Sequence, residues 1–213
     1  MLKSNEKIEL SKKIELSKND KKENEEKTNT DSEIKNKNDN TLNINKIIEL
    51  LDIHTEYVLK IKNFIKENKI KMRLPNFPEG ISENIIKEYI NKIEKKKCIN
   101  SQTGGDLEVY ENDQIKKIEV KCFTSNGPTS FGPSEKWNEI YFLDASNFLN
   151  KKFKIYKISL SNDSDVFSNI KINSSKTYKD VCDEGKRPRI NFVQLQKQLK
   201  EYVKLIYQGE LNF

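Results

Sequence analysis

From residue 42 to about 67 apolar side chains recur at helical spacing, among them Ile44, Ile47, Leu51, Val58, Ile61 and Ile65. That spacing predicts one long amphipathic helix. A proline-broken loop follows, Leu74-Pro75-Asn76-Phe77-Pro78-Glu79-Gly80. Ser82 is then placed to cap a second helix that carries Ile85, Ile86, Tyr89, Ile90 and Ile93 on one stripe. Beyond it the pattern turns to strict alternation. Residues 106–110 and 117–123 read as two strands, and the polar turn Glu111-Asn112-Asp113-Gln114 joins them as a hairpin. Further strand-like runs stand at 140–143 and 153–160, then a polar, irregular stretch over 161–189, and a final helix from Phe192 to about Tyr207. This order predicts an α/β sandwich around a mixed sheet of about four or five strands.

The second strand of the hairpin holds the candidate chemistry. Its sequence is Ile118-Glu119-Val120-Lys121-Cys122-Phe123. A strand sends alternate side chains to opposite faces, so Ile118, Val120 and Cys122 are expected to face a core and Lys117, Glu119 and Lys121 to face away from it. Asp106, behind Gly104 and Gly105, is expected to bring a second carboxylate to the same place. Two carboxylates and a lysine at one point suit a hard, oxygen-seeking cation with a water beside it. Other Glu-x-Lys triplets occur at 25–27, 33–35, 67–69, 94–96 and 184–186, but in polar runs or on helical surfaces without strand alternation.

Gly105-Asp106 followed by Glu119-Val120-Lys121 resembles the active-site signature of the PD-(D/E)XK nucleases. The surrounding Ser101-Gln102-Thr103-Gly104-Gly105-Asp106-Leu107, with the run through Phe123-Thr124-Ser125, resembles type II restriction endonucleases more narrowly. The resemblance covers residues 74–160 best. Where the family pattern has a proline before the first aspartate, this chain has Gly105. The resemblance implies a restriction-endonuclease-like mixed β-sheet flanked by α-helices, and Mg2+-dependent hydrolysis of double-stranded DNA. It implies Asp106 and Glu119 as metal ligands, with the Val120 carbonyl completing the coordination, and Lys121 as the group that orients or helps deprotonate the attacking water. Glu83 or Glu88 is expected to supply the extra acid that some family members carry. The implied setting is cytoplasmic, in a restriction–modification system whose DNA methyltransferase acts on the same site. Alternatives on the same residues are a repair or junction-resolving nuclease, or a DNA-binding module without catalysis.

Composition narrows the alternatives. A single histidine, His54, excludes nuclease mechanisms that need several, and is expected as a surface or capping residue rather than a ligand. There is no Cys-x-x-Cys, no phosphate-binding Gly-x-x-x-x-Gly-Lys-Ser/Thr and no Gly-x-Ser-x-Gly elbow. Cys98, Cys122 and Cys182 are few and widely spaced, as expected of reduced thiols. The first 40 residues lack any aromatic side chain, carry Lys-Ile-Glu-Leu-Ser-Lys at 7–12 and again at 13–18, and run on in Lys, Glu, Asn and Asp. Too little apolar surface is available there to offset ordering, so 1–41 is expected as a disordered polar tail and 42–213 as the nuclease domain.

Net charge is +6, but all except three of the 39 basic residues are lysine. The scarce arginines are therefore more informative: Arg73 stands alone, while Arg187 and Arg189 flank Pro188. Arginine is the usual partner of guanine edges, which marks this pair as candidate DNA readers. The loop that leaves the hairpin, with two Gly-Pro pairs and closed by Trp137, offers Ser125, Asn126, Thr129, Ser130 and Lys136 for further DNA contacts. A palindromic target would call for two copies, hence a homodimer.

Overall fold

The computed structural model describes residues 42–102 and 104–213; the expected tail over 1–41 lies outside them. Helix α1 (Ile44–Asn68) starts where Asn43 Oδ1 accepts the Lys46 amide at 3.0 Å, and ends at Lys69 in the left-handed region. It buries Ile47, Leu51, His54 and Val58, one to a turn. Helix α2 (Glu79–Lys92) begins four residues earlier than a Ser82 cap would allow. Pro78, extended, precedes it, and the Ser82 hydroxyl donates instead to the Glu79 carbonyl inside the first turn. His54 is not at the surface and caps nothing. It lies buried between Phe77 and Phe148, with ring centroids at 5.6 and 5.4 Å, and burial lowers its pKa.

The sheet has six strands rather than four or five: β1 (Lys97–Asn100), β2 (Leu107–Glu111), β3 (Gln114–Phe123), β5 (Glu139–Asn147), β6 (Lys152–Ile158) and β8 (Val203–Gly209), in the order β1-β2-β3-β5-β6-β8. Only β3 and β5 run parallel; every other pairing is antiparallel. The β2–β3 turn has φ of 49° at Asn112 and 59° at Asp113, the double left-handed turn that matches strand twist. Short β4 (Pro128–Ser130) and β7 (Arg189–Asn191) form a separate ribbon. Within the stretch expected to be irregular lie two small helices, α3 (Asp165–Ser168) and α4 (Tyr178–Asp183).

The final helix, α5 (Phe192–Leu199), is half the expected length. It buries Phe192, Leu195 and Leu199, passes through a 3-10 turn (Lys200–Tyr202) and gives way to β8. Val203, Ile206 and Tyr207 have strand preference, and the open edge of β6 offers their backbone a ladder that a helix would forgo.

Both faces of the sheet are covered. Cys98, Leu107, Val109, Ile118, Val120, Tyr141 and Leu143 pack with α1 and α2. Ile140, Phe142 and Ile158 pack on the other side with Phe131, Trp137, Phe167, Tyr178 and Phe192. The unbroken apolar run Ile140-Tyr141-Phe142-Leu143 is the mark of a strand buried on both sides.

Asn162 fastens the Gly-Pro loop onto this second core. Its side chain donates to the Glu135 carbonyl at 2.6 Å and accepts the Trp137 amide at 3.3 Å. Asn162→Ala leaves those buried groups unpaired, and is expected to lower unfolding free energy by about 1–3 kcal/mol in denaturant titrations. A change under ~0.5 kcal/mol, typical of a plain surface substitution, would show that the loop is held by its aromatic packing alone.

Candidate active site

β2 and β3 pair only as far as Leu107 opposite Ile118; past that point β3 continues beside β5 alone. Asp106 sits at the point of divergence. Its amide donates to the Ile118 carbonyl at 3.0 Å, and its Oδ2 accepts the Val120 amide at 2.6 Å, so a carboxylate oxygen takes the place of the next ladder carbonyl. The approach requires glycine before it. Gly105 has φ of +82°, and a Cβ there would lie 3.4 Å from the Ile118 carbonyl oxygen. Proline, held near −65°, cannot adopt that backbone, which explains the departure from the family pattern.

Alternation along β3 then sets Glu119 and Lys121 side by side, and they form an ion pair. Glu119 faces away from the core formed by Ile118 and Val120, yet it is only 2% exposed, because that face of the sheet is covered too. Burial pushes its pKa up to about 7, with Lys121 opposing and the charges of Asp106 and Glu135 adding to the rise. Asp106 is raised as well, by burial first, moderated by the Val120 amide and by Lys121. For Lys121 burial disfavours the ammonium, but Glu119, Asp106 and Glu135 outweigh it and the net shift is upward. Its Nζ also lies 5.8 Å from the centre of the Phe131 ring.

Of the two acids expected from α2, Glu83 is the one in this field, where Glu79 in the first turn also acts on Asp106. Its pKa is raised by burial, then by Asp106 and Glu79, against Lys121 and Lys87. Glu88 is buried about 140° further round the helix. Two participants were not anticipated. Glu135 reaches all three signature side chains electrostatically, and its Oε2 accepts the Gly132 amide at 2.8 Å. A side chain at Gly132 would collide with it. Lys87, fully buried, contacts Asn100 Oδ1 at 3.1 Å. A lysine one turn past Glu83 on an otherwise isoleucine-rich helix was the available sequence signal for it.

The two segments expected to meet DNA come together as the β4–β7 ribbon. Thr129 pairs with Ile190, Ser130 with Arg189, and the Phe131 amide donates to the Pro188 carbonyl at 3.0 Å. Arg187, Arg189, Ser125, Asn126 and Lys136 are exposed and Thr129 is half-buried, whereas the Ser130 hydroxyl is buried without a partner.

Among the described residues no three His, Cys, Asp or Glu side chains stand close enough together to hold a metal ion. The donors present, two carboxylates next to a backbone carbonyl, still fit Mg2+, which keeps several of its waters and needs only one or two carboxylates.

A mixed sheet with helices on its faces, carrying this acid–acid–lysine group where two strands part, is a restriction-endonuclease-like fold. Residues 41–200 match the model of the Bsp6I restriction endonuclease family, and the chain belongs to that family. It is 30% identical over 118 residues to the type II restriction enzyme Bsp6I of Bacillus sp. (strain RFL6), a match covering 55% of this chain and 63% of that enzyme. No solved structure matches it.

A pH prediction follows from Glu119. Its pKa is about 7 in the fold against an ordinary 4.5, so the folded chain holds the proton more firmly than the unfolded one. The stability this gives is full below pH 4.5 and is lost as pH rises to about 7. Bound Mg2+ would offset that loss by favouring the carboxylate. The rise in melting temperature on exchanging EDTA for Mg2+ is therefore expected to be larger near pH ~8 than near pH ~5.5. An equal rise at both would remove Glu119 from the metal's surroundings.

Proposed function

We propose that this chain is a type II site-specific deoxyribonuclease that hydrolyses phosphodiester bonds of double-stranded DNA with Mg2+. What carries the reading is the meeting of Asp106, Glu119 and Lys121 at the β2–β3 divergence in a chain of this family. Asp106 and Glu119, with the Val120 carbonyl, are the groups to hold the metal, and Glu83 is the extra acid beside them. Bound there, Mg2+ supplies a water of lowered pKa and neutralises charge on the phosphate. Lys121, kept protonated by three carboxylates, orients the attacking water and steadies negative charge as the phosphorus passes through five-coordination. Water oxygen adds to phosphorus as it gives up a proton to solvent, one P–O ester bond breaks, and the departing sugar oxygen takes up a proton from solvent, leaving a phosphate monoester and a free hydroxyl.

Arg187 and Arg189 at the ribbon, with the loop residues Ser125, Asn126, Thr129 and Lys136, contact the DNA. A palindromic site is cut on both strands by a homodimer. A methyltransferase acting on the same site protects host DNA in the cytoplasm. No helix among the described residues is long and apolar enough to cross a membrane.

Asp106→Ala, Glu119→Gln and Lys121→Ala are each expected to slow digestion of unmethylated viral DNA by at least ~100-fold, as when a group stabilising transition-state charge is removed. Glu119 is made Gln to preserve packing. Binding in Ca2+, which fits the same oxygens but supports the chemistry poorly, is expected to persist. Undiminished cutting by the Asp106 or Glu119 variant would sink the assignment.

Arg187→Ala and Arg189→Ala test the ribbon. A base reader loses ~1–3 kcal/mol on the cognate site alone, while a phosphate contact weakens cognate and random duplex alike. Unchanged affinity for both DNAs in the double variant would take β7 out of the interface.

A further inference from the structure

Among the described residues, eight of the thirteen exposed large apolar side chains fall between Leu50 and Leu74. On α1 they form a line: Leu50 (38% exposed), Ile53 (64%), Tyr57 (54%) and Phe64 (56%), with half-buried Ile61 completing it. At ~100° per residue these five positions span about 80° of the helix surface, beside the face that packs on the sheet and distinct from it. Ile70 and Met72, also exposed, extend the apolar surface past the helix end. A contiguous stripe of this kind on a described surface is the signature of a protein contact.

The pattern is symmetric about Tyr57. Leu50 and Phe64 stand seven residues to either side, and Ile53 and Ile61 four to either side. Laid antiparallel on itself through a two-fold axis at Tyr57, the helix sets Leu50 of one copy against Phe64 of the other, Ile53 against Ile61, and Tyr57 against its own mate. The charges agree with that register. Lys46 at one end comes level with Asn68 of the other copy, one residue from Glu67. Glu56 and Lys60, already paired within the helix at 2.6 Å, meet the same pair of the second copy as a neutral group of four. A parallel arrangement would place Lys46 by Lys46 and Glu67 by Glu67.

We infer that this α1 stripe is the surface on which two copies of the chain associate, antiparallel about Tyr57. The inference deepens the homodimer of the proposed function and rests on it. A heptad-like apolar line flanked by such charges favours a helix partner, and the internal symmetry of the line makes a second α1 that partner.

Sedimentation of the full-length chain at micromolar concentration tests this. The wild-type protein is expected as a dimer, and Ile53→Glu/Phe64→Glu as a monomer with unchanged helix content that still unfolds cooperatively, since both positions are exposed. In the dimer, Tyr57→Cys is expected to be trapped covalently by a short bismaleimide, whereas Lys69→Cys, far from the axis, and the wild-type cysteines are not. A dimeric double-Glu variant, or a dimer in which Tyr57→Cys fails to cross-link, overturns the surface alone. A monomeric wild-type chain that cuts DNA at defined sites overturns both the surface and the two-copy assembly, and leaves the nuclease reading intact.

Discussion

The hydrogen bond from the Val120 amide to Asp106 Oδ2 is the interaction on which the site depends. A strand that loses its neighbour must place its freed amides somewhere, and β3 loses β2 beyond Ile118. Using a carboxylate oxygen as the substitute acceptor satisfies that amide and fixes Asp106 against the strand that carries Glu119 and Lys121. The arrangement in turn demands the left-handed Gly104 and Gly105, because the chain must turn sharply and pass close to the Ile118 carbonyl. Local backbone accounting therefore assembles the acids, and the proposed chemistry would use groups that the fold had already to bring together.

Burial gives the group its electrostatic character. With the far face of β3 covered by the loop around Phe131 and Trp137, Glu119 lies where an unpaired carboxylate is costly, and it is held by Lys121. Glu79, Glu83 and Glu135 add negative charge from α2 and from the loop, while Lys87 opposes it. Such an excess of acid over base around a buried Glu119 raises the carboxyl pKa values and keeps Lys121 charged. A divalent cation relieves the same excess, and desolvation and Coulomb repulsion thus argue for a cation independently of the signature motif.

What the sequence made legible was whatever repeats with a short period. The β2–β3 hairpin, both long helices and the Asp106, Glu119 and Lys121 group follow from alternation, helical spacing and a polar turn. The failures have a common cause, in that tertiary partners decided them. Residues 203–209 scan equally well as helix and strand until the free edge of β6 is present. β1 is four residues long and is held partly by the Asn91 side chain, which bonds both the amide and the carbonyl of Cys98. The burial of Glu119 is not visible in the sequence because the residues covering it are remote along the chain. Glu83 and Glu88 were equivalent as letters and differ only by their angle around α2.

In the Gly-Pro loop the same few residues pack the second core and border the surface that carries the arginines. Phe131 packs in the second core, stacks on Trp137, lies near the Lys121 ammonium and donates its amide to Pro188, between the two arginines. Its neighbour Ser130 pairs with Arg189, and Glu135 four residues on acts on the three signature side chains. A displacement of the ribbon would have to move Phe131 or break the bond to Pro188, and either alters the surroundings of Lys121. Close packing transmits such a shift rather than absorbing it. The surface that carries the arginines and the lysine beside the acids are thus mechanically one unit, joined by a loop that Asn162 clamps from behind.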